Sequence, residues 1–274
     1  MTRLHDLYAS EGQSPWLDNI RRGWLTSGEL AGWVDRGVRG LTSNPSIFQK
    51  AIQGSAEYDD QFRESIVSGL DLEASYWELV ASDISAALGI LRPVYDGPDG
   101  LDGYVSVEVD PGLARDAAGT EAAARDLDTR LDAPNLYIKI PATAEGLAPI
   151  RQMVTEKRSI NVTLIFSLDR YAEVMESYIS GLEAAEGDLS DISSVASFFI
   201  SRVDVEVDRR LDEIDTPEAR ALRGKAAIAN GKLAYDLFRQ TFAGPRWDAL
   251  VGRGARVQRP LWASTGVKDP AYPD

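Results

Sequence analysis

Seven short apolar runs recur along the chain, and most are separated by stretches with helical spacing. Alternation this regular dictates parallel strand pairing with right-handed crossovers. The strand candidates are "PWLDNI" (15–20), "GVRGLTSNP" (37–45), "GYVSVEVD" (103–110), "NLYIKIP" (135–141), "SINVTLIF" (159–166), "SVASFFIS" (194–201) and "RPLWAST" (259–265). The clearest helix carries Leu72, Tyr76, Leu79, Val80, Ile84, Ala87 and Leu88 at helical spacing, with Asp83 the one polar intruder. Residues 111–130, 145–157, 168–185 and 203–240 also read as helical. Two architectures fit: a doubly wound sheet and a (β/α) barrel.

Side-chain parity separates them. In "VSVEV", Val105, Val107 and Val109 share one face, and Ser106 and Glu108 share the other. In "LYIKI" the apolar face is Leu136, Ile138 and Ile140, opposite Tyr137 and Lys139. In "INVTL" it is Ile160, Val162 and Leu164, opposite Asn161 and Thr163. A doubly wound sheet covers both faces with helices and would strand those polar groups. A barrel gathers them in its interior, near the C-terminal strand ends where barrel active sites lie. The expected fold is therefore an α/β, TIM-type (β/α) barrel. No repeat, linker or low-complexity tract divides residues 1–274, which read as a single domain.

Lys139 is the residue that does not suit a buried strand. Lysine supplies only six of the 29 Lys and Arg residues, so it is not this chain's general surface charge. A lysine among apolar neighbours is usually half of an ion pair. The sharper reading rests on desolvation, which pushes a lysine toward the neutral amine that attacks carbonyls. Glu108 on the preceding strand and Asn161 and Thr163 on the following one supply an acid/base and hydrogen-bonding groups. Forming and dehydrating a carbinolamine needs proton transfer in both directions, and such a set can provide it.

Composition removes the main alternatives. The chain has no cysteine and a single histidine, His5, which reads as an exposed tail residue. A zinc site or a Ser-His-Asp triad therefore has almost nothing to be built from. A formal charge of −14 argues against nucleic acid and anionic membranes as partners. "MTRLHDLYAS" lacks the apolar core of a signal peptide, and no apolar run approaches the ~20 residues of a membrane span. A cytoplasmic location is the expectation. "NVT" (161–163) is a glycosylation triplet lost inside a strand, and "DGPDG" (96–100) reads as a solvated turn rather than a cation loop.

"GLTSNPSIF" (40–48) resembles the first signature of the transaldolase family, and "LYIKIPATAEGL" (136–147) is similar to the signature around that family's Schiff-base lysine. "WLDNI", "SVEVDP", "NVTLIFS" and "SFFISRVD" occur in the matching order, so the resemblance runs from about residue 3 to the end. It implies that Lys139 is the nucleophile and that Glu108 is the acid/base acting through a water supported by Thr163. Asp18 would take the proton of the substrate hydroxyl beside the breaking carbon–carbon bond. Asn44 and Asn161 would hold hydroxyls of a dihydroxyacetone unit. Ser197, Phe199 and Arg202 would hold the substrate, Arg202 at its phosphate, with Ser264 and Lys268 as further contacts. The implied reaction moves a three-carbon ketol unit between sugar phosphates in the pentose phosphate pathway. The protonated imine is its electron sink, so no metal or organic cofactor is expected. A homodimer is left open.

The sequence also departs from the family pattern. Phe198 and Ser201 stand where many members carry Pro and Gly. The resemblance implies eight strands and seven are visible, so the chain is expected to lack a closing strand and final helices. Two rivals stay open: an aldolase of the same superfamily that releases dihydroxyacetone, and a silent barrel serving as a structural module.

Overall fold

A computed structural model describes residues 2–97, 100–270 and 272. Pro98 and Asp99 of "DGPDG" lie outside the described residues. All seven expected strands form: β1 (Trp16–Asp18), β2 (Gly40–Thr42), β3 (Val105–Glu108), β4 (Leu136–Pro141), β5 (Ile160–Ile165), β6 (Ser194–Phe199) and β7 (Arg259–Ala263). They make one sheet in the order β1-β2-β3-β4-β5-β6-β7. A doubly wound sheet reverses its order at a switch point. Unbroken sequential order is that of the TIM-type α/β fold, as strand parity requires. The chain packs as two compact units, 1–111 with 123–138, and 112–122 with 139–274.

In the first unit β1, β2 and β3 pair in parallel, with Trp16 opposite Gly40 and Asp18 opposite Thr42. Its helices are α1 (Arg3–Glu11), α2 (Arg22–Thr26), α3 (Glu29–Asp35), α4 (Pro45–Gln53), α5 (Asp59–Val67) and α6 (Leu72–Tyr95). Asp71 caps α6 by accepting from Ala74 N–H at 2.8 Å, satisfying one of the amides that a helix start leaves unpaired. Leu79, Val80, Ile84, Ala87, Leu88 and Leu91 bury its inner stripe, each side chain contributing on the order of 1–3 kcal/mol of transfer free energy. Asn135 is buried just ahead of β4, where its Nδ2 donates to the carbonyls of Leu88 (3.1 Å) and Gly103 (2.8 Å). His5 is not a loose tail residue. It lies half-buried in α1, and its Nδ1 accepts from Thr2 N–H at 3.1 Å in a capping box.

In the second unit β5, β6 and β7 pair in parallel. α8 (Leu147–Thr155) and α9 (Leu168–Ala184) pack here, α9 burying Tyr171, Val174, Met175, Tyr178, Ile179 and Leu182. α7 (Ala117–Leu131) precedes β4. The single helix expected over 203–240 is instead three: α10 (Ser201–Ile214), α11 (Pro217–Arg220) and α12 (Ala226–Thr241). Asp215 turns left-handed at φ 54°, and Thr216 then caps α11 ahead of Pro217. Thr-Pro at N-cap and N1 is a helix start that apolar periodicity overlooks. α13 (Pro245–Val251) leads toward β7. No helix among the described residues is long and apolar enough to cross a membrane.

Candidate active site

In the first unit three of the sequence-predicted residues sit at or just past strand ends. Asp18 closes β1 with its side chain exposed, and Glu108 closes β3, half-buried. Asn44 follows β2. It caps α4, its Oδ1 accepting from Ile47 N–H at 3.0 Å, with Pro45 at the first helical position. Next to it, Ser43 Oγ donates to the Ser106 carbonyl at 2.8 Å, tying the exit of β2 to β3. A cavity of about 730 Å³ opens beside Asp18, its lining including Arg21, Arg22, Trp24, Lys50 and Tyr58. Arg22 and Tyr58 carried no strand-parity or motif signal and escaped the sequence reading.

In the second unit Lys139 is 5% exposed on β4, every residue of which is buried. Asn161, Thr163 and Ser197 are buried on β5 and β6. Ser197 Oγ donates to Asn161 Oδ1 at 2.7 Å, which brings two of the proposed substrate contacts together. The Thr163 carbonyl accepts from Ala142 N–H at 2.8 Å, binding β5 to the exit of β4. Its hydroxyl is buried and has no hydrogen-bond partner among the described residues. A buried hydroxyl left without a partner costs ~1–3 kcal/mol.

Strand parity fails at one place. Leu164 was expected on the apolar face with Ile160 and Val162, but a register irregularity falls between Val162 and Ile165. Leu164 adopts φ 61° and is 38% exposed, and Ile165 takes the buried position instead. A bulge of this kind inserts a residue and turns the following side chains over. Phe166 then reaches Phe199, ring centroids 5.1 Å apart, while Arg202 places its guanidinium 4.6 Å from the Phe199 ring. That exposed Arg202 is thereby braced in the first turn of α10, where helix-start amides also favour anions.

Phe198 and Ser201 have defined places. Phe198 is buried between Tyr171 and Trp262, with edge contacts at 5.6 and 6.1 Å. Ser201 belongs to α10, not to the strand. Its N–H donates to the Ser264 carbonyl at 2.9 Å, and the two hydroxyl oxygens stand 2.8 Å apart. Ser264 lies just beyond β7 at φ 55°, and Lys268 is exposed in the segment that follows. No metal-binding cluster of His, Cys, Asp or Glu occurs among the described residues.

Residues 15–274 match the family described as Transaldolase/Fructose-6-phosphate aldolase. The chain belongs to that family. It is 53% identical to a transaldolase of Parafrankia sp. (strain EAN1pec), over 99% of this chain and 74% of the relative. It is 55% identical to the transaldolase of Thermobifida fusca (strain YX), over 96% and 73% respectively. Transaldolase 1 of Streptomyces avermitilis is 52% identical over 100% of this chain and 72% of its own length. The chain thus spans about three quarters of these transaldolases. The family match covers every strand and every candidate site residue named above.

Proposed function

We propose that the chain catalyses the transaldolase reaction, moving a dihydroxyacetone unit from a ketose phosphate to an aldose phosphate through a Schiff base on Lys139. The observation that carries the reading is Lys139 itself. It is a lysine at 5% exposure inside a wholly buried strand, in a chain more than half identical to named transaldolases along its length.

The chemistry assigns each group a task. Lys139 Nζ adds to the ketose carbonyl carbon, and loss of water from the carbinolamine gives the iminium. Glu108 relays the protons for that step through a water held with Thr163. Asp18 accepts the proton of the hydroxyl beside the breaking carbon–carbon bond. The bonding electrons flow into the iminium, the aldose phosphate leaves, and an enamine remains on Lys139. Adding a second aldose phosphate runs the steps in reverse. Asn44, Asn161 and Ser197 hold hydroxyls of the three-carbon unit. Phe199, Arg202, Ser264 and Lys268 line the phosphate end, Arg202 presenting the planar fork that suits phosphate in an otherwise acidic protein. Exchange between sedoheptulose 7-phosphate and glyceraldehyde 3-phosphate, in the cytoplasm as part of the pentose phosphate pathway, is the reading's natural setting.

Borohydride reduction with fructose 6-phosphate, followed by peptide mapping, tests it. The expected product is a reduced three-carbon adduct on Lys139. An intact folded protein with no adduct there overturns the reading. Turnover that needs an added aldose phosphate marks a transaldolase, and release of dihydroxyacetone without one marks the aldolase branch of the family.

A further inference from the structure

The cavity beside Asp18 is walled by two residues that the reaction scheme leaves unused, Arg22 and Tyr58, and both are held by the polar intruder of α6. Asp83 is 2% exposed. Its Oδ2 accepts from Tyr58 Oη at 2.8 Å and its Oδ1 from Arg22 Nε at 2.8 Å. Arg22 N–H donates to the same Tyr58 oxygen at 3.1 Å, and its guanidinium lies 4.2 Å from the centre of the Tyr58 ring. Arg22 also donates to the Glu57 carbonyl at 3.3 Å. A buried ion pair is weak evidence for stability, because apolar replacements often serve a fold as well. What this network does fix is a position.

β1 is three residues long, and Asp18 is the last of them to pair with β2. Past Asp18 the chain turns through Asn19, whose Oδ1 accepts from Ile20 N–H at 2.9 Å, and through buried Ile20. It enters α2 at Arg22. The turn is therefore gripped at one end by the strand and at the other by Asp83 and Tyr58. We propose that Asp83, acting through Tyr58 and Arg22, is a positioning residue for the Asp18 carboxylate. The inference rests on the proton-accepting role given to Asp18 in the transaldolase reading. Displacing a catalytic group by about 1 Å costs on the order of a hundredfold in rate.

The test separates imine formation from bond cleavage. In Asp83→Asn, borohydride trapping of dihydroxyacetone on Lys139 is expected to stay at the parent level, since that step does not use Asp18. Single-turnover release of glyceraldehyde 3-phosphate from fructose 6-phosphate is expected to slow by about ten- to a hundredfold. Asp18→Asn slows the same step, and the double variant is expected to be no slower than Asp18→Asn alone, because coupled residues are not additive. Parent-rate cleavage in Asp83→Asn, or a loss that adds in full to that of Asp18→Asn, overturns the inference. If Asp83→Asn does not fold by circular dichroism, Tyr58→Phe takes its place under the same criteria. Absence of any adduct in the unsubstituted protein is a different failure: it overturns the transaldolase reading, and this inference with it.

Discussion

Ser197 Oγ donates to Asn161 Oδ1 at 2.7 Å, between two buried positions on the neighbouring strands β5 and β6. The bond orients the amide by its oxygen, toward β6. Ser197→Ala is expected to cost about 1–3 kcal/mol of stability, the range for a buried acceptor that loses its partner. It should also raise KM for the ketose phosphate several-fold, through the Asn161 it no longer orients. Denaturant unfolding and steady-state kinetics measure the two effects, and an unchanged KM would show that Asn161 needs no such brace.

Thr163 makes the opposite trade. Its buried hydroxyl has no partner among the described residues, so Thr163→Val removes a desolvation cost while keeping the shape. Thermal stability should hold or rise by about 1 kcal/mol. The rate of imine formation should fall if the hydroxyl supports the catalytic water. Stopped-flow trapping reads the rate, and loss of stability without loss of rate would assign Thr163 to packing alone.

Gly40 is held to glycine by a ring. A Cβ there would stand 2.3 Å from Trp16 Cε2, and Trp16 and Gly40 are register partners across β1 and β2. The indole cannot retreat freely, since it stacks with Tyr137 at 6.1 Å and Tyr137 stacks on Tyr104 at 4.1 Å. Gly40→Ala should destabilise the protein by about 2–3 kcal/mol, the usual cost of overpacking. A parent-like denaturation midpoint would contradict this packing.

The Asp83 carboxyl is raised above the usual carboxylate range by burial, which outweighs the hydrogen bonds from Tyr58 and Arg22 that lower it. A raised pKa in the folded state means that the folded protein holds this proton more tightly than the unfolded chain does. The stability it brings is present below the unfolded value, about 3.9, and is lost as pH rises through the folded one. Asp83→Asn does not titrate at this position. Its melting temperature relative to the parent should therefore climb as pH increases from about 4 and level off once Asp83 is ionised. A difference that stays flat across that range would mean that burial does not perturb this carboxyl.

Arg202 is braced against the Phe199 ring. Arg202→Gln should raise KM for fructose 6-phosphate by at least about tenfold, the loss of one charge-assisted contact. Trapping of unphosphorylated dihydroxyacetone should be spared. Equal losses for both compounds would remove Arg202 from the phosphate end.

The seven strands and the burial of Lys139, Asn161 and Thr163 were legible because each depends on near neighbours in the chain. Apolar runs mark strands, and the two-residue period alone puts Lys139 opposite Ile138 and Ile140. The choice of a barrel over a doubly wound sheet could be argued from parity, and the strand order, unbroken from β1 to β7, agrees with it. The same local logic misplaced Leu164, since one inserted residue in β5 reverses every assignment after it and leaves no mark in the hydrophobic pattern. It also missed the breaks after α10, where the Thr216 cap and Pro217 outweigh helical periodicity.

Asp83 shows where the division lies. Its sequence position says only that a carboxylate occupies the buried stripe of a helix. Its partners, Tyr58 and Arg22, stand 25 and 61 residues away, and no periodicity links them. Nor does any local pattern join Ser197 to Asn161 across 36 residues, or Phe166 to Phe199 past the β5 bulge. The sequence by itself determined the strands and the lysine buried among them, because those follow from the backbone period. Tertiary structure alone decided which distant side chain satisfies each buried polar group, because hydrogen bonds form by proximity in space, and the chain must fold before that proximity exists.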